Sequence, residues 1–179
     1  MEIPSVIAQR RSLLLAACAL PVALWGCNRG DSGAAVKAVE IDPATTCDFD
    51  GMLLADYPGP KAQIHYADAA APVFFCDTVE MFSALLRPEQ VRPVRAVLTQ
   101  DMAHADWNQP RGHWFDARSG FYVAGSKRHG SMGPTFASFA AEAEARKFAT
   151  EHGGKVLRFA DVKPEMADLG GGSQHDKHM

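Results

Sequence analysis

Asp77-Thr78-Val79-Glu80-Met81-Phe82-Ser83-Ala84-Leu85-Leu86-Arg87-Pro88 is the stretch on which the fold turns. Asp77 and Thr78 are both residue types that cap a helix N-terminus, and Glu80 falls in the first turn, where the helix dipole favours an acid. Val79, Phe82, Leu85 and Leu86 share one face at helical spacing, and Pro88 cannot continue the helix. The flanks change period. Upstream, Ala62-Gln63-Ile64-His65-Tyr66 alternates at period two and predicts a strand. Met52-Leu53-Leu54-Ala55 reads as its hairpin partner across the turn signal Pro58-Gly59-Pro60. Pro72-Val73-Phe74-Phe75 is a third short apolar run, and Arg95-Ala96-Val97-Leu98-Thr99 closes the unit as a strand.

The second half repeats that order. His113-Trp114-Phe115-Asp116-Ala117 and Phe121-Tyr122-Val123-Ala124-Gly125 read as two strands around the turn Arg118-Ser119-Gly120. A Gly-rich loop, Gly130-Ser131-Met132-Gly133-Pro134, follows. Ser138 is a capping residue type for a helix running to about His152, with Ala141, Ala145, Phe148 and His152 on one face. Glu142 and Arg146 are spaced as an i,i+4 pair. Gly153-Gly154 stops that helix and Lys155-Val156-Leu157-Arg158-Phe159 is its closing strand. The expected class is therefore α+β: two small homologous ββαβ lobes, residues 40–100 and 101–165, with a disordered tail over 166–179.

Residues 1–26 read as a lipoprotein signal peptide. Arg10-Arg11 begins a charged region, and the apolar run from Ser12 to Trp25 is shorter than the ~20 residues a membrane span needs. Leu24-Trp25-Gly26-Cys27 resembles a lipobox, which makes Cys27 the lipidated residue. Leu15-Ala16-Ala17-Cys18 fits the same pattern but leaves almost no apolar run before it. Asn28 after Cys27 points toward the outer membrane rather than the inner. Residues 27–39 lack apolar period and read as a flexible tether. The expected location is periplasm-facing and membrane-anchored, a compartment that oxidises thiols.

The chain has 179 residues, four Cys, seven Met, seven His and a net charge of -3. Such a balance offers no electrostatic footprint for nucleic acid, so none is expected as a partner. There is no nucleophile elbow, HExxH, phosphate loop or CxxC, and nothing in the spacing of His104, Asp106 and Ser131 supports a triad. An enzyme is not expected. What remains is sulfur. Cys47-Asp48-Phe49-Asp50-Gly51-Met52 places a thiol and a thioether one tight loop apart, and soft donors of this kind select Cu(I) over harder ions.

With Tyr57-Pro58-Gly59-Pro60-Lys61, Phe75-Cys76-Asp77-Thr78-Val79-Glu80-Met81 and Gly130-Ser131-Met132-Gly133, this hexapeptide resembles the NosL family of lipoprotein copper chaperones. The resemblance runs from about Cys47 to Val162. It implies two homologous α+β lobes and a Cu(I) site that includes Cys47 and Met132, with Met52 or a histidine (His113 or His129) completing it. It also implies delivery of copper for the nitrous-oxide reductase copper centre, to a membrane-associated maturation complex with periplasmic and ABC-transporter components, by a carrier that acts as a monomer. Many family members read Cys-x-x-Cys-Gly-Met here, and this chain has Asp50 at the second cysteine position. Asp50 is a hard donor and reads as a cap of the turn before Gly51 or as an orienting group. Cys76 is open between copper ligand, disulfide partner of Cys47 and small buried hydrophobe. The Cys47–Cys76 disulfide belongs to the competing reading, a lipoprotein scaffold that holds no metal. The His175, His178 and Met179 of the tail are an auxiliary site at most.

Overall fold

The computed structural model describes residues 36–169. The signal peptide, Cys27, most of the tether and the tail donors His175, His178 and Met179 lie outside the described residues.

The first half contains strands β1 (Ala62–Tyr66) and β2 (Val73–Phe75), helix α1 (Thr78–Leu86) and strand β3 (Val94–Gln100). The second contains β4 (Trp114–Asp116), β5 (Phe121–Ala124), the short pair β6 (His129–Gly130) and β7 (Gly133–Pro134), then β8 (Ala137–Phe139), α2 (Glu142–His152) and β9 (Lys155–Arg158). The mixed class is α+β. One sheet has the order β2-β1-β3-β4 and another β8-β5-β9, with every ladder antiparallel. In each, the first strand of its ββαβ unit is flanked by the second and the last.

Four details depart from the sequence expectation. Residues 52–55 do not form a strand. Thr46 and Leu53 make one bridge and the chain then turns through a 3-10 helix, Leu54–Asp56, so the hairpin partner of β1 is β2. Leu54 is buried while Leu53 is exposed, which makes this run a plug rather than an alternating ribbon. Next, the strand at 114–116 does not pair with 121–124; it adds to β3 and extends the first sheet. Ser138 lies within β8 and caps nothing. Its hydroxyl donates to Gln100 O at 2.7 Å, and α2 starts at Glu142 after Ala141 without a side-chain cap. Finally, the tail does not begin at 166. Pro164–Met166 forms a 3-10 turn, and Ala167 is buried in the main core.

Helix α1 follows its sequence closely. Asp77 is the N-cap, its Oδ1 accepting from Val79 N at 2.9 Å, and the helix ends one residue before Arg87-Pro88. The Glu142–Arg146 pair forms, and Gly153 ends α2 with φ +77°, a conformation glycine adopts without a Cβ penalty.

Strand β1 is buried along its whole length because both faces are covered. Ala62, Ile64 and Tyr66 point into a core shared with Met81 and Phe82 of α1 and with Tyr122, Phe136 and Leu157 of the second half. On the opposite face, Gln63 exchanges two hydrogen bonds with the backbone of Val39, and His65 contacts the Gln63 amide at 2.9 Å. Buried polar side chains between β3 and β8, Thr99 and Ser138, also touch at 3.2 Å. Polar groups this deep are tolerated because each finds a partner.

Candidate metal centre

Two loops converge on the N-terminal end of α1. The first is Cys47–Met52. Cys47 N donates to Met52 O at 2.8 Å, Gly51 N donates to Cys47 O at 2.9 Å, and Gly51 has φ +77°. The Asp50 carboxylate accepts from Met52 N at 3.0 Å, so it caps this turn, one of the two roles expected of it. Asp48 N donates to Phe74 O at 2.8 Å and fastens the loop to β2. The result turns the Cys47 side chain inward, 2% exposed, against Leu54, Cys76, Phe74 and Trp114.

Cys76 follows β2 and precedes the N-cap, and it is fully buried. Its thiol donates to the two oxygens of Glu80, at 3.4 and 3.3 Å, and Cys47 Sγ lies 3.2 Å from Glu80 Oε2. Both cysteines are free thiols. Cys47, Asp50, Cys76 and Glu80 each bring a donor atom into a group whose members all lie within 4.8 Å of one another. Neither His113 nor His129 joins that group. His113 sits at φ 54° with its ring 5.8 Å from that of His104, and His129 is exposed on β6.

The electrostatics separate the two thiols. The hydrogen bond with Cys76 pulls Cys47 down to about 6, against the opposing effect of burial, with further help from the backbone N–H of Phe49, which donates to its sulfur at 3.4 Å. The same pairing, together with burial, pushes Cys76 well up. Burial, then contact with Cys47, raises Glu80 to about 8. Burial raises Asp77 to about 6, although Thr135 and Val79 N hold its charged form. Within this centre the thiolate is therefore favoured at Cys47 over Cys76. Lys61 stands beneath it, pulled down to about 8 by burial and supported by the negative groups around it.

The second loop is the β6–β7 hairpin, with Ser131 and Met132 at its tip. A glycine-rich loop suggests mobility; the structure instead pins it. Ser131 Oγ donates to Cys76 O at 3.1 Å, Thr135 Oγ1 donates to Asp77 Oδ1, and Trp107 Nε1 donates to His129 O at 3.1 Å. Gly130 lies so close to Asp77 that a Cβ there would meet Oδ2 at 2.0 Å. The expected result of Gly130→Ala is a loss of about 2 kcal/mol, the usual cost of forcing atoms into a filled space; urea denaturation measures it.

Met132 itself is 55% exposed. It lines a groove of about 1120 Å³ together with Phe49, Glu80, Arg87 and Met166. Glu80, which touches both cysteine sulfurs, is the member of the thiol group that lines this groove; neither cysteine does. Met52 contributes through its backbone, which closes the Cys47 turn.

Sequence reading missed two members of this centre and left a third open. Cys76 and Glu80 stand four residues apart at a helix start, a spacing that brings side chains together, and that signal was available. Nothing in the sequence distinguishes Lys61 from a solvated lysine.

An α+β fold that gathers two free thiols and two carboxylates within 4.8 Å of one another, one of them lining an open groove, defines a class of protein with a candidate metal-binding centre. The comparisons agree and narrow the class. Residues 38–167 match the NosL family. The copper-binding lipoprotein NosL of Stutzerimonas stutzeri is 34% identical over 168 residues, covering 90% of this chain and 87% of that protein. The corresponding lipoprotein of Achromobacter cycloclastes is 36% identical over 161 residues, 88% of this chain and 82% of that one. The crystal structure of the copper chaperone NosL from Shewanella denitrificans superimposes with a TM-score of 0.70 at 35% identity, over 72% of this chain and 97% of that one. This chain belongs to the NosL family.

Proposed function

We propose that the chain is a lipid-anchored carrier that holds one Cu(I) and passes it on for assembly of the nitrous-oxide reductase copper centre. The observation that carries the reading is the pair of free, buried thiols of Cys47 and Cys76 in contact with Glu80, a side chain that lines the same groove as Met132. Relatives described as copper-binding lipoproteins, with most of both chains aligned, support the cargo and the anchor at Cys27.

The oxidation state follows from donor chemistry. Thiolate and thioether are soft and suit Cu(I), whereas Asp50 and Glu80 are hard and serve better to orient. In this reading Cys47 is the anchoring ligand and Met132 reaches in from the hairpin. Cys76, with Met52 as the alternative, completes a set of two or three. Few, accessible ligands let a recipient replace them one at a time. The recipient is a periplasm-exposed component of the reductase maturation machinery and its ABC transporter, and the carrier works on the periplasmic side, at the outer membrane.

The test is anaerobic Cu(I) titration of the full chain in detergent against a competing chelator. The expected stoichiometry is one ion. Met132→Leu keeps bulk and apolarity but removes sulfur, and is expected to weaken binding about tenfold, ~1.4 kcal/mol. A thiol count on protein purified without reductant separates the alternatives: two reactive thiols support the carrier, and an oxidised Cys47–Cys76 pair with no copper bound favours the scaffold.

A further inference from the structure

Lys61 is fully buried, and among the described residues it is the one lysine or arginine in the interior. A buried ammonium costs far more than it returns unless it is hydrogen-bonded and faces negative charge. Lys61 satisfies both conditions at the metal centre. Its Nζ donates to Pro58 O at 2.9 Å and to Cys76 O at 3.0 Å. The acidic groups whose negative forms favour its charge are Cys76, Asp77, Glu80 and Cys47, which are two of the donor residues, the acid that contacts them, and the helix cap. Its main chain is fixed as well: Lys61 N donates to Gln100 Oε1, and Thr99 Oγ1 donates to Lys61 O. This cation is held in place beside a candidate ion-binding group and is fully buried.

Resting on the Cu(I)-carrier reading, we infer that Lys61 determines ion specificity, its fixed positive charge disfavouring divalent ions relative to monovalent ones in the Cys47–Cys76 centre. The donor residues alone do not discriminate in this way. Two cysteines with two carboxylates also suit Zn(II), which accepts sulfur and oxygen in a tetrahedral set. Exchanging Cu(I) for Zn(II) in the same donors, with the same protons displaced, adds one unit of positive charge. A buried ammonium bonded to the Cys76 backbone, in a poorly screened interior, opposes that extra charge. Asp77, next to Cys76 in the chain, carries the opposite charge and acts in the opposite sense.

The experiment measures Cu(I) and Zn(II) affinities of the full chain in detergent, anaerobically, with a competing chelator for each ion. The proteins are wild type, Lys61→Met and Asp77→Asn, each checked for fold by circular dichroism. Asparagine caps a helix as well as aspartate does, so Asp77→Asn removes the charge while keeping the cap. Lys61→Met is expected to raise the Zn(II):Cu(I) affinity ratio at least about tenfold, and Asp77→Asn to lower it at least about threefold, because one charge is removed with opposite sign in each. A lysine that only braces the turn would change both affinities together and leave the ratio alone. If Lys61→Met does not fold, the direction of the Asp77→Asn shift decides. A ratio that moves less than about threefold in every folded variant, or in the same direction in both, overturns the inference. Wild type that binds Cu(I) with a flat ratio refutes this role alone, whereas wild type that binds no Cu(I) refutes the carrier reading together with it.

Discussion

Cys47→Ser is expected to weaken Cu(I) binding at least about a hundredfold, ~2.7 kcal/mol, in the anaerobic chelator competition, with the fold retained. Serine matches cysteine in shape and can keep contact with Glu80, so the substitution isolates sulfur from packing. Three features make this effect larger than that of any other single donor. Cys47 is the thiol pulled down to about 6, so it meets the ion as a thiolate without an added proton cost. It is 2% exposed, which strengthens its attraction for a cation relative to a donor in water. Its loop is tied to β2 through Asp48 N and Phe74 O, so no rearrangement is needed to present it. Met132 is neutral and half exposed, and its loss is correspondingly milder. Asp50→Asn is the internal control: a hard, exposed donor is expected to change Cu(I) affinity less than about threefold. Trp114, packed against the cluster that contains both cysteines, gives an independent fluorescence readout. Wild-type affinity in Cys47→Ser would place copper elsewhere.

Phe82→Ala is expected to cost about 3–5 kcal/mol of stability, the range for emptying a buried aromatic site. Phe82 is fully buried on α1. Its ring meets Tyr122 edge-on at 4.9 Å, Phe136 edge-on at 5.4 Å and Phe159 at 5.0 Å. All three partners belong to the second half, so this side chain joins the two ββαβ units rather than filling one of them. Edge-to-face pairs add to area burial, and alanine forfeits those contacts as well as leaving a cavity. Urea denaturation measures the change, and Phe82→Leu is expected to fall between wild type and alanine. Because α1 also carries Asp77 at its cap and Glu80 in its first turn, loosening its packing is expected to lower copper affinity too. A loss below about 1 kcal/mol would mean that the site collapses around the missing ring, contrary to the close packing of interiors.

The parts of this protein that were legible in its sequence are those set by local period and capping. Helix α1 has its cap, its apolar face and its proline stop within a dozen residues, and all of them act locally. Strand β1 showed its alternation even though both faces are buried, because the outer face uses Gln63 and His65, whose polarity is satisfied by Val39 and by each other. Pairing was less legible. Residues 52–55 carry an apolar run that tertiary structure uses as a single plug at Leu54, and 114–116 joins β3 because partner choice depends on the sheet edge left open, which no local pattern encodes. The site divided in the same way. Cys47 stood out by its loop and by family resemblance. The environment of Cys76, the contacts of Glu80 and the burial of Lys61 exist only after the β1–β2 hairpin has closed and α1 has docked, so sequence left Cys76 open three ways and was silent on Lys61.

That closure has a consequence for when metal can be held. Cys47 and Cys76 stand on opposite sides of the β1–β2 hairpin, and the unfolded chain offers no neighbouring pair of sulfurs. A ligand that binds the folded state alone stabilises it by mass action. If copper is its ligand as proposed, loaded protein should therefore resist proteases and heat better than empty protein, with a stabilisation that grows as the logarithm of free copper above the dissociation constant. A newly made chain has to complete its fold before it can take cargo, and an empty one is the more easily cleared. On the proposed reading, folding and loading are then coupled, and the empty chain is the one more open to degradation.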